Sequence, residues 1–349
     1  MINQLQLHQV SVHYGAFQAV REVSLQLELG QIGCLLGPSG CGKTSLLRAI
    51  AGFEPVSCGE IRLHGEVISR LQYTLVPERR RVGMVFQDFA LFPHLDVARN
   101  IGFGLGDVSR AVRDQRVTEL LELVGLVGMA KAFPHELSGG QQQRVGLARA
   151  LAPGPEILLM DEPFSSLDTE LREQLAREIR ELLKRNRVTA ILVTHDQHEA
   201  FAMADQVALL QNGRIAQCDS PYNLYHKPAN EVVAGFIGQG TIINATVNAA
   251  GELSNGLGIL GRASGQRTPG EVVKLLVRPD DIQYVEHSPL QLAVIGRSFR
   301  GAQFLYELAL PDAQSVLCLA PSHVDVAVGK SLPVGFDLRH AVVFDSLTG

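Results

Sequence analysis

One short segment limits the folds open to this chain more than any other feature: GPSGCGKT, residues 37–44. It follows the apolar run IGCLL, which is typical of a buried strand, and it precedes TSLLRAIAG, where Leu46, Leu47 and Ile50 recur at helical spacing. Gly52 then suits the end of that helix. The pattern G-x-x-x-x-G-K-[ST] between a strand and a helix predicts a phosphate-binding loop. A chance Lys-Thr after a glycine-rich turn is the alternative, and the flanking elements argue against it.

Each residue type in this segment has a chemical purpose. Glycines let the backbone wrap closely round phosphates, while the N–H groups and the positive end of the next helix point at them. Lys43 is expected to reach the β- and γ-phosphates, and Thr44 to offer its hydroxyl to Mg²⁺. The predicted nucleotide-binding residues here are Gly37, Ser39, Gly40, Cys41, Gly42, Lys43, Thr44 and Ser45.

Length and composition set the wider limits. At 349 residues the chain has room for about two domains, and 46% hydrophobic with 19% charged residues is ordinary globular composition. A net charge of -5 gives no basic face for nucleic acid, so we expect no nucleic-acid partner. Five scattered cysteines suggest neither a disulfide framework nor a zinc site. No secretory signal or membrane-spanning run is evident, which predicts a cytosolic chain.

The hydrophobic pattern divides the chain near Gly238–Gly240. Up to about Ile237, the short apolar strands EILLMDE, TAILVTH and QVALLQNGRI alternate with amphipathic helices such as LREQLAREIRELLKR, which predicts an α/β fold with a parallel sheet. Beyond that point the segments VVKLLV, QLAVIG, FLYELAL and SVLCLA predict a small all-β domain. The predicted domains are therefore residues 1–238 and 239–349.

A pair of carboxylates lies where a phosphate-binding loop needs them. ILLMD, residues 157–161, is an apolar strand that ends in Asp161, in a position to hold Mg²⁺ beside the loop. Glu162 follows directly and is well placed to orient and deprotonate an attacking water. We therefore predict Asp161 as a metal-side residue and Glu162 as the general base.

Upstream of that strand, LSGGQ at residues 137–141 completes a family signature. LSGGQ with GPSGCGKT before it and ILLMDEP after it resembles the nucleotide-binding subunit of ATP-binding cassette (ABC) transporters, over residues 1 to about 237. The resemblance implies ATP and Mg²⁺ as cofactors, and a cassette with a parallel sheet core and antiparallel β and helical subdomains. It also implies four further roles: Tyr14 stacking on adenine, Gln87 as the loop glutamine near the catalytic metal, Asp168 in the dimer-facing loop Ser166-Leu167-Asp168, and His195 as the switch histidine.

The signature segment also predicts a second copy of the chain. Ser138 and the N–H groups of Gly139 and Gly140, with Gln141 beside them, open a helix and form an anion site. The phosphate-binding loop already covers the phosphates from one side, so the second site must come from a second chain. By resemblance, two cassettes form a head-to-tail homodimer with two ATP molecules sandwiched between them.

Two further segments concern partners and solute. The stretch after Gln87 is rich in apolar groups, and in this family it receives a short cytoplasmic helix of the membrane subunit, so Phe89, Leu91, Phe92 and Leu95 are candidate docking residues. LLVRPDDI, residues 275–282, resembles the small OB-like β-barrel domain that follows the cassette in importers of sugars, sulfate, polyamines and iron. With ERRRVGMVFQDFALFPHLDVARNI and FIGQG, the nearest resemblance is to the ATPase subunit of bacterial ferric-iron importers.

This resemblance implies an ATP-hydrolysing motor at the cytoplasmic face of the inner membrane. Its partners would be two membrane-spanning permease subunits and, through them, a periplasmic or extracellular solute-binding protein. Import of polyamine, sulfate, phosphonate or sugar remains an alternative, because the cassette never touches the solute. A soluble cassette ATPase acting on ribosomes or DNA is the rival class, and the β tail disfavours it. His287, Cys318, His323, Asp325 and His340 match no metal-ligand spacing and are expected to be scattered polar residues.

Overall fold

The computed structural model describes residues 3–106, 108–165, 167–255, 258–262, 267–338 and 342–344. The chain separates into two compact units, residues 1–221 and 222–349. The first unit holds an antiparallel sheet, a mainly parallel sheet and their covering helices.

The strands of the first unit are β1 (Asn3–Tyr14), β2 (Phe17–Glu28), β3 (Ile32–Leu36), β4 (Cys58–Leu63), β5 (Glu66–Arg70), β6 (Tyr73–Thr74), β7 (Val82–Val85), β8 (Ile157–Asp161), β9 (Ala190–Thr194), β10 (Gln206–Gln211) and β11 (Arg214–Asp219). Its helices are α1 (Lys43–Ala51), α2 (Val97–Gly102), α3 (Arg110–Leu123), α4 (Gly139–Leu151), α5 (Thr169–Arg185) and α6 (Gln197–Met203).

The sheet that carries the site has the order β11-β10-β3-β9-β8-β7, with every neighbouring pair parallel except β10 and β11. Strands β3 and β9, IGCLL and AILVT, are buried at every position, as expected for a parallel sheet covered on both faces. Leu36 pairs with Thr194, and Asp161 with Val193. The carboxyl ends of β3, β8 and β9 therefore meet at one edge, where open α/β sheets bind ligands.

The second sheet of this unit is antiparallel, in the order β2-β1-β4-β5-β6. One face of β1 and β2 is apolar, and it packs with α1 in the same core as the parallel sheet. The predicted cassette architecture, a parallel sheet with antiparallel β and helical parts, is confirmed.

In the second unit, two short helices precede the strands: α7 (Pro221–His226) and α8 (Glu231–Phe236). The strands are β12 (Thr241–Val247), β13 (Glu252–Asn255), β14 (Gly258–Arg262), β15 (Val272–Val277), β16 (Ile282–Tyr284), β17 (Gln291–Phe299), β18 (Gln303–Ala309), β19 (Ser315–Pro321), β20 (Ser331–Phe336) and β21 (Val342–Phe344). Strands β16-β19-β18-β17-β20 close into a barrel, and β14-β13-β12-β15-β21 form a sheet. The predicted OB-like β-barrel is confirmed.

The second unit begins at residue 222, before the predicted boundary at residues 238 and 239. Arg278 gives a physical reason, because its buried guanidinium donates to the carbonyls of Tyr225, Ala234 and Gln239. The helices α7 and α8 thus share hydrogen bonds with the barrel region of their own unit.

None of the helices in the described part of the chain has the length and apolar character needed to span a bilayer. Within the same residues, no group of three or more His, Cys, Asp or Glu side chains is arranged to hold a metal ion. His340, one of the scattered polar residues considered above, lies outside the described residues.

Candidate nucleotide site

The loop between β3 and α1 owes its shape to two glycines with positive φ. Gly37 has φ 152°, and a Cβ there would lie 2.3 Å from the carbonyl oxygen of Leu210. Gly42 has φ 102°, and its Cβ would lie 2.3 Å from the carbonyl oxygen of Ala19. Any other residue would clash with backbone at both positions, so the loop can pass this close to β2 and β10 only with glycine.

Lys43, the first residue of α1, is buried and points back into the loop. Its Nζ donates to the carbonyl oxygens of Gly37 at 2.8 Å and Pro38 at 2.9 Å, and lies 3.7 Å from Cys41 Sγ. The loop therefore curls round an ammonium group at a helix N-terminus. Such an arrangement suits a phosphate, which a cation and free backbone N–H groups can both bind.

Asp161 ends β8 directly beside α1. The Thr44 hydroxyl donates to its Oδ1 at 3.4 Å. Burial raises the pKa of Asp161 above its ordinary value, and the hydrogen bond from Thr44 opposes that shift. A hydroxyl and a carboxylate are the hard oxygen donors that Mg²⁺ prefers, and a bound cation would offset the cost of burying the charge. The residues present therefore fit a magnesium ion.

Glu162 is held in an unusual backbone conformation. It has φ 45°, in the left-handed region that non-glycine residues rarely adopt, and its N–H donates to the Val193 carbonyl at 2.9 Å. This turn directs the carboxylate to the next strand end, where Oε1 lies 3.3 Å from His195 Nδ1. The chain thus brings the predicted base and the predicted switch histidine into hydrogen-bonding distance at the same edge as Asp161.

The signature residues open a different helix. Ser138 caps α4, its Oγ accepting from the Gln141 N–H at 3.3 Å while Gln141 Oε1 accepts from the Ser138 N–H at 2.9 Å. This reciprocal pair is a capping box. Gly139 and Gly140 form its first turn. Since α4 packs on α2, α3 and β7 whereas α1 packs on β1, β2, β8 and β9, the fold does not join these two anion-binding elements in one loop.

The remaining predicted residues lie at exposed turns. Tyr14 ends β1 and is 42% exposed; it pairs across the hairpin with Phe17, which is 62% exposed. Gln87 follows β7, whose parallel pairing with β8 brings it to the same sheet edge as Asp161. Asp168 caps α5 by accepting from the Leu171 N–H at 3.0 Å. Ser166 of the same loop lies outside the described residues.

Two sequence-based expectations need correction. The place of Cys41 near Lys43 and a helix N-terminus predicts a reactive thiol, but its side chain is only 4% exposed, which keeps reagents from the sulfur. Phe89 is 5% exposed and cannot present a docking surface, because its backbone turns with φ 58° and packs against Gly146 of α4. Leu91, Phe92 and Leu95 are half-buried and keep part of their surface open.

A groove of about 810 Å³ opens beside Phe92. Apolar side chains and four charged ones share its lining; the apolar ones include Met84, Phe86, Phe92 and Phe103, and the charged ones are Glu78, Arg81, Arg149 and Glu156. Phe92 and Phe103 have ring centroids 4.3 Å apart, and Arg149 lies 5.5 Å above Phe92. The sequence pattern missed Phe86 and Phe103, which come together here from either side of α2.

Comparison with known proteins agrees with this geometry. The ABC transporter family matches residues 20–165, the TOBE domain family residues 275–344, and an AAA domain family residues 133–200. The cassette MJ0796, solved as a dimer in a post-hydrolysis state bound to ADP and Pi, is 31% identical and superposes with a TM-score of 0.55 over 62% of this chain and 98% of that one. CbiO1 of Clostridium perfringens, part of the ABC transporter complex cbiONQ, is 25% identical and superposes with a TM-score of 0.60 over 64% of this chain and 91% of that one.

Three curated relatives carry different solute names. Fe(3+) ions import ATP-binding protein FbpC of Streptomyces avermitilis is 41% identical over 99% of this chain and 99% of its own length. Spermidine/putrescine import ATP-binding protein PotA of Rubrobacter xylanophilus is 40% identical over 99% of this chain and 94% of its own length. Sulfate/thiosulfate import ATP-binding protein CysA 2 of Chromobacterium violaceum is 44% identical over 80% of this chain and 75% of its own length. The chain therefore belongs to the ATP-binding subunits of ABC importers that carry a C-terminal TOBE domain, with ATP and Mg²⁺ as its cofactors.

Proposed function

We propose that this chain is the ATP-hydrolysing motor of a ferric-iron importer. The observation that carries the motor role is the cluster at one sheet edge: Thr44 on Asp161, and Glu162 within 3.3 Å of His195. Support for iron is the full-length similarity to a relative named for Fe(3+) import. Full-length similarity to a relative named for spermidine/putrescine import keeps polyamine as the second candidate.

In the proposed reaction, water attacks the γ-phosphorus and the bond to the β,γ-bridging oxygen breaks. Glu162 takes the proton of the water, a role worth roughly 10² to 10⁴ in rate. Lys43 releases the loop carbonyls and binds the β- and γ-phosphates. Mg²⁺, held by Thr44, Asp161 and Gln87, would neutralise charge that develops on the phosphate oxygens. His195 contacts the γ-phosphate and senses its loss.

The other assigned residues bind the nucleotide from outside the loop. Tyr14 stacks on the adenine, an interaction worth about 1–3 kcal/mol by analogy with base stacking on aromatic side chains in nucleic-acid sites. Ser138, Gly139, Gly140 and Gln141 bind the γ-phosphate held by a second copy, and Asp168 lies at the contact between copies. Residues 1–221 would form this motor, and residues 222–349 an accessory unit.

We further propose that the homodimer sits peripherally on two permease subunits at the cytoplasmic face of the inner membrane. The groove beside Phe92 has the apolar lining that a short permease helix needs, and a solute-binding protein would act through the permease. No nucleic-acid partner is proposed.

The motor role is tested by Glu162→Gln. This variant should bind ATP, hydrolyse it orders of magnitude more slowly and accumulate as an ATP-bound dimer. Turnover within twofold of the parent chain would remove Glu162 from the base role.

The shared site is tested by mixing Lys43→Ala and Ser138→Arg chains, which should regain one intact site per heterodimer. Mixtures no more active than either single variant would contradict a site shared between two copies.

Solute identity needs a separate measurement. Uptake of radiolabelled iron and of radiolabelled spermidine is compared in a strain lacking this chain and in the same strain complemented by Glu162→Gln or by the parent chain. Iron uptake should be lost and restored only by the parent. Normal iron uptake with loss of spermidine uptake would move the assignment to polyamine.

A further inference from the structure

Arg172, in the first turn of α5, joins two loops that the sequence keeps apart. Its Nη2 donates to the carbonyl oxygen of Leu167 at 2.9 Å, and its Nη1 donates to Asp196 Oδ2 at 3.2 Å. Its Nε lies 3.5 Å from Glu199 Oε1. The guanidinium is mostly buried, and its planar fork can hold these three groups at once, which a single ammonium cannot.

The groups on one side of Arg172 fix the turn that carries His195. Thr194 Oγ1 donates to Glu199 Oε2 at 2.5 Å and accepts from the Asp196 N–H at 3.0 Å. Asp196 Oδ1 in turn caps α6, accepting from the His198 N–H at 2.7 Å. Both neighbours of His195 in the chain are therefore tied into one network with Glu199, which is 4% exposed.

The group on the other side belongs to the loop that ends at Asp168. Leu167 is buried against the start of the signature helix, since a Cβ on Gly139 would lie 3.0 Å from its Cδ2. Asp168 then caps α5. A shift of this loop would move the Leu167 carbonyl, and Arg172 is the side chain that connects that carbonyl to the two carboxylates.

We propose that Arg172 is a positioning residue that couples the Leu167–Asp168 loop to the His195 turn. The inference rests on the proposed function, in which Asp168 faces a second copy and His195 contacts the γ-phosphate. Formation of the dimer would then position His195, because the Leu167–Asp168 loop is connected to the His195 turn through Arg172. Its hydrogen bonds go to Leu167 and Asp196 and not to the phosphate-binding loop, so we expect it to act on turnover and not on ATP affinity.

The primary test measures kcat and the KM for ATP in Arg172→Met and Arg172→Lys. We expect kcat to fall about tenfold for Met and about threefold for Lys, with KM within about twofold of the parent, because coupling between sites is typically worth 5- to 150-fold. Arg177→Met is the matched control on the same helix: Arg177 is exposed and lies 3.8 Å from Glu173. It should keep both constants.

A double-mutant cycle separates positioning from simple structural support. Single-turnover hydrolysis of labelled ATP, followed for hours so that slow variants are quantified, is compared for Arg172→Met, His195→Ala and both together. If Arg172 acts through His195, its substitution should change the His195→Ala rate by less than about twofold. Equal losses in both backgrounds would overturn the proposal, as would a parent-like kcat in Arg172→Lys.

A measurement that needs no hydrolysis tests the proposal even if Arg172→Met folds poorly. In the Glu162→Gln background, Arg172→Lys should bind ATP and dimerise at an ATP concentration within about twofold of that of the parent, read by size-exclusion chromatography, because Arg172 acts on turnover. A requirement for about tenfold more ATP would overturn the proposal, since the loss of kcat would then report poor assembly of the dimer. Failure of the proposed function is distinguishable, because the parent chain itself would then show no hydrolysis dependent on Lys43 and Glu162.

Discussion

Arg80 holds the far end of the helix that follows the phosphate-binding loop. It is 1% exposed and donates five hydrogen bonds: to the carbonyls of Ala49 and Ile50 at 2.8 Å, to those of Leu75 at 2.7 Å and Ile68 at 3.2 Å, and to Ser69 Oγ at 2.6 Å. Burial lowers the pKa of Arg80 to about 10, so it stays protonated at neutral pH. A cation at the C-terminal carbonyls of a helix is favourable.

Arg80→Met should therefore destabilise the first unit through lost hydrogen bonds more than through lost packing. Each buried acceptor left without a donor costs about 1–3 kcal/mol. Part of this cost is offset, because the variant has no charged guanidinium to remove from water on folding. Breaking a buried charged network costs about 3–5 kcal/mol in total. For a unit of this size each kcal/mol shifts the melting temperature by about 2–4 °C. We expect a loss of about 6–20 °C.

Differential scanning calorimetry without nucleotide measures this loss. Arg79→Met, an exposed neighbour, is the control and should change stability by less than about 0.5 kcal/mol. Arg80→Lys should fall between the two, since three ammonium donors cannot serve five acceptors. An Arg80→Met transition within about 2 °C of the parent would refute the reasoning, because the carbonyls would then have found other donors.

Three shorter predictions concern the site itself. Asp161→Asn should raise the melting temperature of the nucleotide-free chain at pH 7, because burial raises the pKa of Asp161 and its ionised form therefore destabilises the fold as pH rises through that pKa. The same variant should lose Mg²⁺-dependent hydrolysis. A lower melting temperature would contradict this reasoning. Tyr14→Ala should raise the KM for ATP about 5- to 100-fold with little change for tripolyphosphate, and equal effects on both would exclude adenine stacking. Peptide mapping after brief alkylation should find buried Cys41 modified more slowly than exposed Cys58, and faster modification of Cys41 would contradict its burial.

The sequence predicted those parts of the site whose chemistry lies in neighbouring residues. The phosphate-binding loop, Asp161 with Glu162, and LSGGQ are contiguous motifs, and short apolar strands placed two of them at strand ends. Arg80 and Arg172 gave no such signal, because their partners are backbone carbonyls and carboxylates that only the fold brings near.

The apolar stretch after Gln87 shows a different limit. It has no helical or strand period, so composition alone did not separate the buried Phe89 from the half-buried Phe92. The groove also needs Phe103 from beyond α2, and that approach depends on how α2 turns the chain back. A contact between residues eleven positions apart, across a turn and one short helix, has no signature in the sequence pattern.

The place where the second unit begins can be tested through Arg278. Its guanidinium lies 4.4 Å from the centre of the Tyr225 ring and donates to the carbonyls of Tyr225 and Ala234 at 3.2 Å. The Tyr225 hydroxyl also donates to Asp280 at 2.8 Å. A fragment starting at residue 239 lacks Tyr225 and Ala234, so the guanidinium of Arg278, which is buried in the complete unit, keeps only the Gln239 carbonyl as a hydrogen-bond acceptor.

We therefore expect the fragment 222–349 to unfold in one cooperative transition and the fragment 239–349 to melt at least 5 °C lower. Two lost hydrogen bonds from a charged donor and a lost cation–π contact are together worth about 3.5–8 kcal/mol. Arg278→Met supplies the matched comparison: it should destabilise 222–349 strongly and 239–349 little, because the shorter fragment has already lost the partners. Equal stability of the two fragments, with Arg278→Met acting equally in both, would place the structural boundary at residues 238 and 239 and assign α7 and α8 to a linker.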